Sequence, residues 1–512
     1  MLVRLHGGSL AFLLVITAAG IVACTTNSPS SGFTNVALPT LLSDRGSTPI
    51  KHVVIVIQEN RSFDNFFATF PNANGTTTGQ VVTMPKTIAQ ACAADAQRVI
   101  TAPTSIPLTE VNILGKGFPT TPPTGQPFGW NQDLPHTYPS GYLVDCNSSS
   151  GEPHSSTPCE MNAFDVQKFG PNAEGGPTCT YLYQYVNPQD VAPYWDMAKQ
   201  YVLADNTFQS QGSSSFTGHQ DLIAAGTLIK SSPSESAIDN PTGFPWGCDS
   251  NSTATVPFLT TSGHYVFKGP FPCYPAYGSS PYATMRDLLD AKSVSWKFYA
   301  NQVYPAGNRQ AGGSGIWSAF DAIYAVRHGS EWGTKVVWPD TKIFNDIRRG
   351  RLPAVSWITP NGANSDHPAE QCKCDKGPSW VASIVNAIGK SKYWKSSAIV
   401  VVWDDWGGYY DHVPPPFYDG QGGLGFRVPL LIISPYVKAH VEHTQYETVS
   451  ILRFVEDNWS LGTLGKLDQR ATSIGNAFNF NMAPRPFQII PAKYSSSFFL
   501  HQKPSDIQPD SE

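Results

Sequence analysis

Two uninterrupted apolar runs stand far apart in the chain, and each stops abruptly at a polar segment. Residues 52–57 (His-Val-Val-Ile-Val-Ile) lead into Gln58-Glu59-Asn60-Arg61-Ser62-Phe63-Asp64. Residues 398–403 (Ala-Ile-Val-Val-Val-Trp) lead into Asp404-Asp405-Trp406-Gly407-Gly408-Tyr409-Tyr410-Asp411-His412. A strand with one face in water alternates apolar and polar side chains. These runs do not alternate, so the pattern predicts strands covered on both faces, the central members of a parallel sheet. Such sheets collect their chemistry just beyond the carboxyl ends of the strands. The chain therefore reads as an enzyme whose site is assembled from distant segments.

Shorter apolar runs predict further strands at 294–299, 353–358 and 428–433. Helical spacing is found over 193–203, 221–225, 284–291, 317–324, 341–348, 380–388 and 445–458, the last with Val449, Leu452, Phe454 and Val455 for one face. Residues 211–218 read as a flexible Ser- and Gly-rich turn. Strands alternating with helices, and no internal repeat, predict a layered α/β/α domain with a mostly parallel central sheet. Thr, Pro, Gly and Cys punctuation at about 71–130 and 231–280 predicts long irregular insertions. The domain is set at 49–490, with a C-terminal tail at 491–512.

At 512 residues the chain can bury a large core. A net charge of -5 and a charged fraction of 14% exclude an extended nucleic-acid footprint, which needs concentrated Lys and Arg. Any anionic substrate must be held locally.

Arg4 and His6 precede an apolar stretch at 10–22 that is too short for a comfortable membrane span, so residues 1–24 read as an export signal. Ile21-Val22-Ala23-Cys24 resembles a bacterial lipoprotein cleavage site, which implies membrane attachment through a lipidated Cys24. An ordinary signal peptide and a retained helical anchor are the alternatives. Residues 25–48 form a Ser-, Thr- and Pro-rich linker. The expected location is exported, as a periplasmic or outer-surface lipoprotein or as a secreted protein. Without Cys24, eight cysteines remain, an even set that suggests disulfides whose pairing spacing alone does not fix. Cys372 and Cys374 lack zinc-knuckle spacing and read as structural cysteines with separate partners.

Several motifs recur in one order: Glu59-Asn60-Arg61-Ser62-Phe63-Asp64, the turn from Gly212 to Gln220, Asp366-His367-Pro368, the run Asp404 through Pro416, Gly425-Phe426-Arg427-Val428-Pro429, and Tyr446 through Phe454. In this order the chain resembles the bacterial acid phosphatase and phospholipase C family of phosphoesterases, whose fold is related to that of alkaline phosphatases and sulfatases. The resemblance implies an alkaline-phosphatase-like fold. It also implies a metal held by Glu59, Asn60, Asp404 and Asp405, whose hard oxygen donors suit a divalent cation that polarises a phosphoryl group. The family nucleophile is a Ser or Thr in a Gly-containing turn, which aligns with Ser215. Two further serines stand beside it, and Ser214 or Ser213 is the alternative nucleophile. Thr217 occupies a position where proline is often found.

His136 and His367 match positions that approach the phosphate, with Asp366 beside His367 as an orienting or charge-tuning group. His219 reads either as a third phosphate contact or as a hydrogen-bonded loop histidine. Arg61 reads as a phosphate fork, a partner of Asp64 or a solvated side chain, and His412 as a brace for the metal loop. Phe63, Phe66, Phe67 and Phe70 suit either a lipid entrance or the core. The resulting expectation is an exported, metal-dependent phosphoric ester hydrolase working through phosphoserine, on phosphomonoesters or phospholipids. A catalytically altered surface binding protein and a sulfatase-like hydrolase are the rivals. No sulfatase signature stands around Ser215.

Overall fold

A computed structural model describes residues 48–83, 85–94, 104–112, 133–149, 157–170, 173, 175–231, 234–242, 247–250, 253–260, 265–268, 273–274, 282–301, 315–368, 375–416 and 423–503. The export signal with Cys24, the linker up to 47, much of both insertions, Cys372, Cys374 and the end of the tail lie outside these residues.

The central sheet has eight strands. In chain order they are β1 (His52–Gln58), β2 (Val202–Ala204), β3 (Trp296–Tyr299), β4 (Val336–Val337), β5 (Val355–Ile358), β6 (Ser397–Trp403), β7 (Leu430–Ile433) and β8 (His440–Glu442). Across the sheet they lie β4-β3-β5-β1-β6-β7-β2-β8. The five from β4 to β6 are parallel, whereas β7 runs antiparallel to both β6 and β2. The two long apolar runs are thus neighbours, in register from His52 against Ser397 to Gln58 against Trp403. That register brings Glu59 and Asp404 out at the same edge. β5, on the other flank of β1, releases the 359–367 loop there as well.

The helices that matter below are α1 (Phe63–Phe67), α2 (Ala192–Gln200), α3 (Ser215–Ala224), α4 (Met285–Ala291), α5 (Lys342–Arg348), α6 (Gly377–Gly389), α7 (Ser450–Trp459) and α8 (Ser496–His501). α6 packs against α2, α5 and α8, and α3 against α4 and α7, giving the layers that flank the sheet. The expected helix at 317–324 is instead a 3-10 turn, Ala319–Ala322, followed by the short helix Tyr324–Arg327. The 445–458 helix begins only at Ser450, because Tyr446–Glu447 pairs as a strand with Thr207–Phe208. The 211–218 segment is not a flexible turn: it is buried throughout, and α3 starts within it.

A second apolar cluster draws on both insertions and on residues 134–183 between them. It contains Cys92, Cys146, Cys159 and Cys179, paired as Cys92–Cys179 and Cys146–Cys159, and it includes Trp406, Tyr409 and Tyr410. A third disulfide joins Cys248 to Cys273. The insertions therefore clamp the loop that follows β6. Phe63, Phe66, Phe67 and Phe70 belong to the main core, so they are not a lipid entrance: Phe63 stacks on Phe67, Phe66 on Tyr194 and Phe67 on Trp195, and Phe70 meets Trp195 edge-on.

Candidate active site

The strand ends meet through backbone devices that explain the glycines. Asn60 has a φ of 56°, a left-handed conformation that asparagine tolerates better than most residues. Its N–H donates to Asp404 Oδ1 at 3.1 Å, tying the end of β1 to the end of β6. After Asp405 the chain doubles back over Asn60. Gly407 has a φ of 61°, and a Cβ there would come within 2.2 Å of the Asn60 carbonyl oxygen, so this position requires glycine.

α3 presents the next group. Ser213 Oγ donates to Asp239 Oδ1 at 2.8 Å and Ser214 Oγ lies 3.5 Å from the same oxygen. Ser215, the first residue of α3, turns the other way: its Oγ is 3.0 Å from Asp405 Oδ2 and 3.4 Å from Asn60 Oδ1. One turn later His219 shares that helix face, and its Nε2 is 3.0 Å from Glu59 Oε1 and 3.6 Å from Asp404 Oδ2.

Glu59, His219 and Asp404, all buried, bring one ligand atom each within 4.8 Å of the others. Asp404 Oδ2 is a buried carboxylate oxygen with no hydrogen-bond partner, the state expected of an oxygen that completes a cation's coordination. Burial holds the His219 imidazole at about 4 against the pull of Asp404, so the ring is neutral and suited to bind metal. Two hard carboxylates and a neutral imidazole therefore fit a divalent ion, with Asn60 and Asp405 alongside. His219 was not expected as a metal ligand. The signal was present, because once Ser215 opens a helix, residue 219 falls on the same face.

The expected phosphate-facing residues come from two loops. His136 Nδ1 donates to the Leu134 carbonyl at 2.6 Å, which leaves Nε2 facing Asn60 Nδ2 at 3.4 Å. His367 stands with its ring 6.5 Å from that of His136 and 5.7 Å from Trp317. Burial, then the charges of His136 and Arg61, hold the His367 pKa well below its ordinary value. Asp366 points elsewhere. Its Oδ2 accepts from Tyr194 Oη at 2.7 Å and Trp403 Nε1 at 3.1 Å, and burial raises its pKa to about 7.

The turn that carries His367 is held from β1. Gln58 Oε1 accepts from the Asp366 N–H at 3.0 Å, and Arg61 Nε donates to the Asp366 carbonyl at 2.8 Å. Arg61 is buried against Tyr409 and Phe66 and does not pair with Asp64. This bracing role was missed from the sequence, as was that of Gln58.

Asp64, Asp411 and His412 form a second close acidic group. Here the cation is already present as a side chain: Arg427, fully buried, donates from Nε to Asp411 Oδ1 at 2.8 Å and reaches Asp64 Oδ1 at 3.3 Å. His412 Nδ1 lies 2.6 Å from Asp64 Oδ2. The knot ties the first motif to the loop after β6, the bracing expected of His412.

Residues 50–462 match the family model described as "Phosphoesterase family". Phospholipase C A of Mycobacterium tuberculosis is 24% identical over 484 residues, covering 85% of this chain and 78% of that protein. Non-specific phospholipase C1 of Arabidopsis thaliana is 23% identical, covering 85% and 72%. Among solved structures, a protein in the alkaline phosphatase superfamily from Vibrio parahaemolyticus overlaps 56% of this chain and 65% of its own, at 11% identity and a TM-score of 0.31. No helix among the described residues is long and apolar enough to cross a membrane. With a family match spanning most of its length and a cluster able to hold a divalent metal, the chain is a hydrolase of the phosphoesterase family.

Proposed function

We propose that the protein hydrolyses phosphate esters through Ser215, by way of a phosphoserine intermediate. The observation that carries this reading is the 3.0 Å contact between Ser215 Oγ and Asp405 Oδ2, beside the group of Glu59, His219 and Asp404. Those three residues, with Asn60 and Asp405 alongside, would hold a divalent cation, which when bound would supply Lewis-acid polarisation of a phosphoryl oxygen and of the serine hydroxyl. Asp405 accepts the Ser215 proton as Oγ forms its bond to phosphorus and the bond to the alcohol oxygen breaks.

His136 and His367 hold the non-bridging oxygens and deliver the proton that the leaving alkoxide takes up. Both rings sit in buried surroundings where an arriving phosphate, by its negative charge, favours the protonated imidazole. Asp366 is a positioning residue that fixes the His367 turn from behind. Water then attacks the phosphoserine, restoring the hydroxyl and releasing phosphate from a monoester or a phosphomonoester from a diester.

The names of the similar phospholipases C favour a lipid phosphodiester as substrate. The three disulfides support an exported protein, since such bonds persist in oxidising compartments. The test is product analysis by phosphorus NMR and lipid mass spectrometry with phosphatidylcholine, a matched phosphomonoester and a panel of divalent metals. Metal-dependent phosphocholine and diacylglycerol mark a phospholipase C. Inorganic phosphate from the monoester alone marks a phosphatase, and no product from either substrate with any metal refutes the hydrolase mechanism in favour of a binding role.

A further inference from the structure

The end of the sheet opposite the site carries a charge pattern that the reaction does not use. β5, β1 and β6 are parallel, so their amino ends share one edge, separated from the active-site edge by the seven residues of β1, about 23 Å. On the segments that enter these strands, Lys51, Arg348, Arg349, Arg351, Lys392 and Lys395 are all exposed. Among the described residues none of the six is in a salt bridge with a carboxylate. Residues 341–352 and 386–397 contain a single acid, Asp346, and it pairs with Lys297. This is a concentrated positive face on a chain whose net charge is -5.

Arg348, Arg349 and Lys392 line a groove of about 620 Å³ between α5, α6 and α8, closed on the third side by Ser496 and Leu500. Leu500 is 41% exposed. Cationic side chains with apolar ones beside them match a bilayer interface, where headgroup phosphates meet acyl chains. A nucleic acid backbone would leave the apolar members without a partner. The chain also enters the domain on this edge, since Thr48 and Ile50 bond to Asn458 just before β1.

We propose that this basic face docks the domain onto a membrane surface rich in anionic phospholipid, with the active-site edge turned away from that surface. The substrate then comes from the medium or from an opposing membrane, not from the leaflet the protein rests on. Docking is read by binding alone, so it stands or falls separately from the phosphoserine mechanism.

The test is co-sedimentation of the full chain carrying Cys24→Ala with vesicles of phosphatidylcholine alone or of phosphatidylcholine mixed with anionic phosphatidylglycerol, which gives the surface a negative potential. An apolar anchor partitions into both compositions, so the difference between them isolates the charged face. Each Lys or Arg near such a surface strengthens binding by roughly fivefold. Arg348→Glu with Arg349→Glu and Lys392→Glu should therefore reduce the phosphatidylglycerol-dependent part by more than tenfold. Raising salt should weaken the wild-type protein in the same sense. Hydrolysis of a soluble phosphomonoester, or the native circular dichroism spectrum, checks that the variant is folded. Equal binding to both vesicle types, or full binding by the folded triple variant, overturns the proposal. So does tighter salt-sensitive binding to single-stranded RNA than to the vesicles.

Discussion

Gly218 packs directly on the backbone of Asp404: a Cβ at residue 218 would stand 2.6 Å from the Asp404 carbonyl oxygen. The absence of a side chain lets α3 lie close enough to β6 for Ser215 and His219 to reach the carboxylates. Gly218→Ala forces helix and strand end apart, because the obstruction is backbone and cannot swing aside. The expected cost is about 1–3 kcal/mol of stability from overpacking, with a fall in kcat of at least tenfold. Urea unfolding and steady-state kinetics on one preparation separate the two effects. A variant with wild-type kcat would show that this close approach is not needed.

Asp404→Asn keeps the shape of the side chain but removes the charge from a buried oxygen with no hydrogen-bond partner. Metal affinity should fall more than tenfold, read by calorimetric titration of metal-stripped protein, while the fold is retained. Unchanged affinity would remove Asp404 from the ligand set.

Ser215→Ala and Ser213→Ala should fail in different ways. The first removes the hydroxyl beside Asp405 and should abolish phosphate trapped on the protein during turnover, with little loss of stability. The second removes the acceptor of the buried Asp239 N–H, which donates to Ser213 Oγ at 2.7 Å, while the Asp239 carboxylate keeps the Tyr138 N–H; it should cost about 1–3 kcal/mol while the phosphoenzyme still forms. Labelled phosphate mapped to residue 213 or 214 by peptide mass spectrometry would reassign the nucleophile.

The Arg427 knot should give the protein a pH-dependent contribution to stability. Burial disfavours the protonated His412 ring, but the hydrogen bond and charge of Asp64, with Asp411, outweigh it and hold the pKa above 6.5. A pKa raised on folding contributes stability that is complete below the unfolded value and is lost as pH rises through the folded one. Unfolding free energy should therefore decline as pH rises above 6.5, and His412→Gln should flatten that decline. Denaturant titrations at several pH values provide the check, and an unchanged slope in the variant counts against this origin.

Arg427→Met should be far more damaging, at about 3–5 kcal/mol, because it leaves Asp411 buried without its cation and Asp64 with His412 alone. Thermal unfolding measures the loss directly. A melting temperature within a degree or two of wild type would mean that the two carboxylates find another partner.

Much of this was legible along the chain. Continuous β-branched runs at 52–57 and 398–403 read as strands covered on both sides, which puts their polar ends at a sheet edge, and the family resemblance then named Glu59, Asn60, Asp404 and Asp405. The exposed partners of a helix or strand follow from local periodicity in the same way. Ser215 was named by motif, but three adjacent serines have the same composition and nothing local ranks them.

Only the tertiary structure turned two of those serines toward Asp239 and one toward Asp405. It placed His219 in the acidic group because residue 211 onward is buried and helix can start at 215, which a Ser- and Gly-rich segment does not announce. It also swung the Asp366 carboxylate to Tyr194 and Trp403, and set Arg427 between Asp64 and Asp411. A sequence states which groups are available and which short segments are strands or helices; which way a buried polar side chain faces is set by partners hundreds of residues away, since each must find a hydrogen bond or an opposite charge within the packed interior.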